Sequence, residues 1–272
     1  MAVDYCVFPV AGYGTRFLPV TKSIPKEMLP VCSIPLIQYA VEEALNSGIR
    51  SNIMIISSGK EAIKHYFEEG LNLPSKISGH TSILRLNKII NECNFKYIQQ
   101  KEMLGLGHAI SLSSSLIKNS NFAVILPDDL CYNEDSSILS QMTTIHNAYP
   151  EMCIVAVEEV IIEEVSNYGI IQGDFINGSN NLIQVSSLVE KPKIEDAPSK
   201  FAVIGRYILT HEIFNYINLS ELSHNEIQIT DALNLMAKDG KVIAYKYSGR
   251  RFDCGKNKGY LEANNFFTRL VQ

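Results

Sequence analysis

The chain has 272 residues, 46% of them apolar or aromatic and 19% charged, which excludes wholesale disorder and predicts one large domain or one with an appendage. Lysine and arginine number 24 against 29 aspartates and glutamates, a net charge of −5 without a basic tail or stripe, which argues against nucleic acid as the main partner. An anionic small molecule would be held by a few placed cations, not by a general positive field.

In chain order, short apolar runs alternate with longer periodic segments. Tyr5 to Val10, Ile53 to Ile56, Phe95 to Ile98, Phe122 to Leu126 and Ile154 to Val157 predict buried strands. Between them, Leu36 to Leu45, Glu61 to Phe67, His108 to Ile117 and Ile138 to His146 carry helical spacing, with Pro35 at the start of the first helix. This alternation predicts an α/β fold, a mostly parallel sheet with helices on both faces. After Glu158 the rhythm changes. Gly169 to Ile171 and Leu182 to Val189 read as strands paired across the turn-rich Asp174 to Asn181. A run at Phe201 to Leu209, a helix from Ile229 to Lys238, a strand from Val242 to Tyr247 and a helix from Lys256 to Leu270 follow, with no linker long enough to divide the chain.

The six cysteines, Cys6, Cys32, Cys93, Cys131, Cys153 and Cys254, are scattered, and no Cys-x-x-Cys pair suggests zinc. The first residues lack the pattern of a signal peptide, and no apolar run approaches the roughly 20 residues of a membrane helix. The expectation is a reduced, cytoplasmic protein that does not engage a membrane.

Ligands of open α/β sheets sit beyond the carboxyl ends of parallel strands, so the residues after each strand carry the functional information. The first strand runs into Ala11-Gly12-Tyr13-Gly14-Thr15-Arg16. Taken alone, the two glycines read equally as a tight connection or as an anion nest of backbone N–H groups with Arg16 beside it. A dinucleotide fingerprint is excluded, because Phe17 stands where its third glycine would be and no acidic ribose partner lies about 20 residues on. That counts against a nicotinamide-dependent dehydrogenase. A Walker A loop is absent.

Gly12-Tyr13-Gly14-Thr15-Arg16-Phe17-Leu18-Pro19, Thr21-Lys22 and Pro25-Lys26-Glu27-Met28-Leu29-Pro30 resemble the signature of the sugar-nucleotide pyrophosphorylases. Ile37-Gln38-Tyr39 and Glu42-Glu43 narrow the resemblance to the bacterial uridylyltransferases that use UTP and glucose 1-phosphate. It continues through Gln100, Pro127-Asp128-Asp129, Tyr168-Gly169, Glu190-Lys191-Pro192 and Asp253. Two positions depart: Tyr13 replaces a common leucine, and Ser33-Ile34 stands where an Asp-Lys pair is usual.

The resemblance implies a Rossmann-like nucleotidyltransferase fold, a three-layer sandwich around a mostly parallel mixed sheet with a small additional β region. One domain would span 1–272, its nucleotide-binding half about 1–130 and its sugar-binding half about 131–272. It implies UTP and glucose 1-phosphate as substrates, UDP-glucose as product, Mg²⁺ as cofactor, and a homodimer or homotetramer. A relative using dTTP or another sugar is the alternative. A non-catalytic sugar-nucleotide-binding regulator would be expected to lose Arg16, Lys26 or the metal aspartates, and all are present.

The resemblance also implies roles. Arg16 and Lys26 would meet the triphosphate, and Lys191 the sugar phosphate. Ala11, Gly12, Gly14, Thr15, Glu27, Gln100 and Gly105 would bind the nucleotide, with the Gln100 amide offering a pyrimidine both a donor and an acceptor. Asp129, Gly169, Glu190, Lys191 and Val203 would bind the sugar. Asp128 and Asp253 would bind Mg²⁺, a hard cation suited to one or two carboxylates plus phosphate oxygens. Read alone, an isolated lysine such as Lys26 is more often a solvated side chain, the Asp128-Asp129 pair more often a turn or helix cap than a metal site, and Glu190-Lys191 usually a solvated edge; the resemblance reverses these readings. His108 reads as structural.

Overall fold

In the computed structural model, which describes residues 3–68, 80–220 and 226–271, the expected alternation of strands and helices is realised. From β1 (Val3–Pro9) the chain passes through a long loop to β2 (Pro30–Val31) and β3 (Ile34–Pro35), then α1 (Leu36–Asn46), β4 (Ser51–Ile56) and α2 (Glu61–Phe67). There follow α3 (Thr81–Glu92), β5 (Asn94–Gln99), α4 (Gly105–Ser111), α5 (Ser114–Ile117), β6 (Asn121–Ile125) and β7 (Asp129–Tyr132). The remainder comprises α6 (Ile138–Ala148), β8 (Cys153–Glu159), β9 (Gly169–Phe175), β10 (Leu182–Glu190), β11 (Phe201–Leu209), α7 (Ile213–Leu219), α8 (Ile229–Lys238), β12 (Val242–Lys246), β13 (Arg250–Asp253) and α9 (Asn257–Val271).

Nine strands form one sheet in the order β5-β4-β1-β6-β11-β8-β12-β10-β9. All run the same way except β11 and β10, which are antiparallel to their neighbours, so the sheet is mixed but mostly parallel in direction. Successive side chains of a strand face opposite sides. On β1, Val7 joins Ile53 and Val124 under α4, α7 and α8, where Ile110, Phe214 and Leu233 close the core. Cys6 and Phe8 point the other way, onto Ile37 and Val41 of α1, Ile89 of α3 and Met142 of α6. The result is the three-layer arrangement. Each fully buried branched or aromatic residue contributes about 1.5–3 kcal/mol, so both faces are needed to hold the strand ends in place.

Several boundaries differ from expectation. The segment 108–117 splits into α4 and α5, and α3 and α7 are helices beyond those expected. The β9–β10 hairpin pairs as expected but extends the edge of the main sheet. The small additional β pieces are instead the β2–β3 pair and the antiparallel β7–β13 ladder, which sets Asp253 opposite Asp129. Cys6 and Cys153 are buried apolar residues, as expected. Among the described residues, no helix is long and apolar enough to cross a membrane.

Candidate active site

The loop leaving β1 folds over the carboxyl end of the sheet in three single 3₁₀ turns, Thr15–Phe17, Val20–Lys22 and Lys26–Met28. Gly14 sits at φ 66°, a left-handed conformation that side chains disfavour, and a Cβ there would press to 3.1 Å on both Lys26 and Thr21. Ala11 is buried and its carbonyl accepts a hydrogen bond from Ser57 Oγ at 2.7 Å.

Two cavities follow this loop. The first, about 300 Å³, is lined by Ala11, Gly12, Tyr13, Gln100, Gly105 and Leu106. Gln100 is buried there, its Nε2 donating to Gly105 O at 3.4 Å and lying 3.0 Å from His108 Nδ1. His108 is therefore structural, as expected: it orients the amide that faces the cavity. The second cavity, about 160 Å³, is lined by Gly14, Thr15, Arg16, Phe17, Lys26 and Gly255.

Charge converges at the second cavity. Lys26 Nζ lies 2.5 Å from Asp128 Oδ2. Burial alone would push the Asp128 carboxyl up, but the charge and hydrogen bond of Lys26 outweigh it and hold it below the usual carboxylate range. Burial likewise opposes the charge on Lys26, and Asp128 followed by Glu27 reverses that, keeping its ammonium protonated. Asp253 Oδ1 accepts from Gly255 N at 3.2 Å, while its Oδ2 meets Lys256 Nζ at 3.0 Å and the Tyr168 hydroxyl at 3.3 Å. A Cβ built on Gly255 would lie 3.0 Å from Asp128 Oδ2, 3.1 Å from Asp253 Oδ1 and 3.5 Å from Arg16 Nη1, so two carboxylates and a guanidinium close on one point. The β7–β13 ladder makes this possible by bringing chain segments far apart in sequence into register.

On the adjoining side, Gly169 and Glu190 face each other across β9 and β10. The Thr230 hydroxyl donates to Glu190 Oε2 at 2.6 Å. Lys191 follows with φ 45°, a strained conformation for a non-glycine residue of the kind that clusters at functional sites. Its N–H donates to Tyr168 O at 3.0 Å, and its ammonium lies 3.4 Å from Glu190 Oε1 on a side chain that is 58% exposed. Val203 is half-buried on β11.

A base-sized cavity, a cationic pocket with two carboxylates and a Glu-Lys edge in succession suit a nucleotide and a second anionic substrate. Residues 9–269 match the family model described as nucleotidyl transferase. The chain belongs to that family. A UTP–glucose-1-phosphate uridylyltransferase from Pseudomonas aeruginosa is 49% identical over 269 residues, covering 97% of this chain and 95% of the relative. The Bacillus subtilis UTP–glucose-1-phosphate uridylyltransferase YngB is 40% identical, covering 96% and 88%. A crystal structure of UDP-glucose pyrophosphorylase complexed with UDP-glucose superimposes with a TM-score of 0.92 at 47% identity, covering 98% of this chain and 99% of the other. The resemblance carried by the sequence motifs and these comparisons agree.

Within this nucleotidyl transferase, one expected contact is corrected and a second residue is found already bonded within the protein. Glu27 is fully buried and its Oε2 lies 2.6 Å from Lys60 Nζ, so it faces the protein and not a nucleotide. Neighbouring residues of a 3₁₀ turn point apart, which sends Lys26 to the cavity and Glu27 inward. Asp129 is likewise committed: Oδ1 holds Arg251 Nη1 at 2.6 Å and Oδ2 accepts Gly205 N at 2.8 Å. Both its oxygens are already bonded within the protein. Burial pushes its carboxyl up despite Arg251.

Other participants escaped the motif reading. Arg251 is almost fully buried and joins Asp129 to Glu158 (Nε to Oε1, 2.6 Å) and to the Tyr168 hydroxyl at 3.1 Å, with its guanidinium 5.0 Å from that ring's centroid. Arg206, also buried, pairs with Glu43 at 2.8 Å and donates to Leu126 O at 3.2 Å, fixing the turn that carries Asp128. The signal was available only as the neighbourhood of Asp253 and as Glu43 within the resemblance.

Proposed function

We propose that this nucleotidyl transferase is a UTP–glucose-1-phosphate uridylyltransferase. The observation that carries the reading is the closure of Arg16, Lys26, Asp128 and Asp253 around Gly255, between the cavity of Gln100 and the Glu190-Lys191 edge. A phosphate oxygen of glucose 1-phosphate attacks the α-phosphorus of UTP. The new P–O bond forms as the bond from that phosphorus to the oxygen bridging to the β-phosphate breaks. Pyrophosphate leaves with the electron pair, and UDP-glucose remains.

The attacking phosphate is already largely ionised at neutral pH, its second pKa being about 6, so neither a general base nor a covalent nucleophile is required. The obstacle is repulsion between two anions, and alignment with electrostatic stabilisation is what the chain supplies. Ala11, Gly12, Gly105 and Gln100 hold the base. Gly14, Thr15 and Arg16 hold the departing phosphates, and Lys26 neutralises charge near the transferred group. Lys191 binds the sugar phosphate, Glu190 accepts from sugar hydroxyls, and Gly169 and Val203 line the sugar.

Asp128 and Asp253 would hold Mg²⁺. The fit rests on two hard carboxylate oxygens, Asp128 Oδ2 and Asp253 Oδ1, which both border the space beside Gly255, a donor set suited to an ion that takes one or two carboxylates and keeps water and phosphate ligands. Bound Mg²⁺ would supply positive charge to the reacting phosphate oxygens.

The same reading divides one domain into a nucleotide half, about 1–130, and a sugar half, about 131–272. It places the enzyme in the cytoplasm, in keeping with six free cysteines. It makes the enzyme a homodimer or homotetramer, supported by Leu261 and Leu270, which α9 leaves exposed. Pyrophosphate release dependent on UTP, glucose 1-phosphate and Mg²⁺ tests the activity; no turnover across four nucleotides and several sugar phosphates would reject it.

A further inference from the structure

The Lys26–Met28 turn is three residues long, and backbone hydrogen bonds from Met28 N to Pro25 O and from Leu29 N to Lys26 O define it. At three residues per turn, consecutive side chains leave about 120° apart. Lys26 goes to Asp128 and Glu27 goes to Lys60, so any roll of the turn that frees one side chain moves the other. Glu27 is fully buried and Lys60 is 5% exposed, which makes this ion pair the anchor of the turn in the protein interior. Glu27 Oε1 is buried with no hydrogen-bond partner among the described residues, so its charge depends on Lys60 and on Lys26 next to it.

Lys60 is itself held. It closes the turn after β4, its N–H reaching Ser57 O at 3.3 Å, and it precedes the first turn of α2. Ser57, in that turn, holds the carbonyl of Ala11 at the mouth of the base cavity. One short segment, 57–60, therefore braces the phosphate loop at its beginning and at its end.

An isolated buried ion pair is a weak source of stability, because desolvating two charges offsets most of their attraction; its best-attested use is to fix a register. We propose that Glu27 and Lys60 are positioning residues that fix the rotation of the Lys26–Met28 turn and thereby deliver Lys26 to the reacting phosphate. This rests on the uridylyltransferase reading for the role of Lys26, while the clamp itself is a statement about Lys26 placement.

Single substitutions strand a buried charge and endanger folding, so the test uses the paired apolar variant Glu27→Leu/Lys60→Met, which replaces both charges together. The pair acting through Lys26 predicts a folded protein whose kcat falls about tenfold to a hundredfold, the range expected for a small misplacement of a catalytic group. The KM for glucose 1-phosphate stays at the parent value. In a Lys26→Ala background the same pair of changes costs nothing further. Acetic anhydride labelling, read by mass spectrometry at Lys26, runs faster in the apolar variant than in the parent protein. Parent kcat in the folded apolar variant, or a loss that adds to that of Lys26→Ala, overturns the proposal. If the parent protein itself shows no turnover, the functional reading fails, and the Lys26 labelling rates still decide the clamp: faster labelling upholds it and equal labelling overturns it.

Discussion

Lys26 leaves a short turn, is 23% exposed along its side chain, and lies 2.5 Å from Asp128. Lys191 leaves a left-handed residue at the end of β10, is 58% exposed, and reaches Glu190 only at 3.4 Å. Both are proposed to meet a phosphate, yet the fold prepares them differently. Ordering a free lysine costs up to about 2 kcal/mol in rotamer freedom. For Lys26 that cost is met during folding, whereas for Lys191 it falls on substrate binding. Fixed charge belongs where charge develops in the transition state, and adaptable charge suits the capture of the second substrate. The nucleotide side should therefore answer mutation in kcat and the sugar side in KM.

Breaking the link between the two sides gives the largest expected effect. Arg251→Leu leaves Asp129 and Glu158 without their buried partner, an expected loss of about 3–5 kcal/mol in folding free energy, read by urea denaturation. Asp128→Asn and Lys26→Ala each remove one charge of the preorganised pair. Pyrophosphate release should fall about a hundredfold to a thousandfold in kcat. Lys191→Ala sharpens the contrast: the KM for glucose 1-phosphate should rise about tenfold or more, the weight of one charge-assisted hydrogen bond, with UTP affinity by calorimetry unchanged and stability unmoved.

The smallest effect is in pH dependence, where Asp128 and Asp129 should differ in sign. The Asp128 carboxyl is held below its usual value, so its stabilising contribution is present above its unfolded pKa of about 3.9 and is lost as the pH falls through the lower folded value. The Asp129 carboxyl is raised by burial; its protonated form favours the fold, and that contribution is lost as the pH rises through the raised folded value. Urea midpoints between about pH 5 and pH 3 should decline less steeply in Asp128→Asn than in the parent protein, and more steeply in Asp129→Asn.

The sheet was readable because burial on both faces gives central strands continuous apolar runs and helices an apolar stripe, as in β1, β6 and α1. The glycine loop after β1 and the Asp-Asp pair after β6 were readable for the same reason, since they stand directly beyond recognisable strands. The β7–β13 ladder was not, because four-residue strands far apart in sequence leave no periodic trace. Nor could local pattern reveal that Lys60 claims Glu27 or that Arg251 claims Asp129. Those pairings are set by the direction in which a turn or strand sends each side chain, which only the assembled fold determines. Thus Glu27, adjacent to a cavity lysine in sequence, faces the interior in space.

Direct displacement between two anions, brought together by fixed cations without a covalent intermediate, is the central claim. Exchange of labelled pyrophosphate into UTP tests it most directly. The account predicts label in UTP when the enzyme is given UDP-glucose and Mg²⁺, and no label when it is given UTP alone with labelled pyrophosphate. Exchange with UTP alone would reveal a nucleotidyl-enzyme, and no exchange with UDP-glucose would remove the reaction itself; either result contradicts the account.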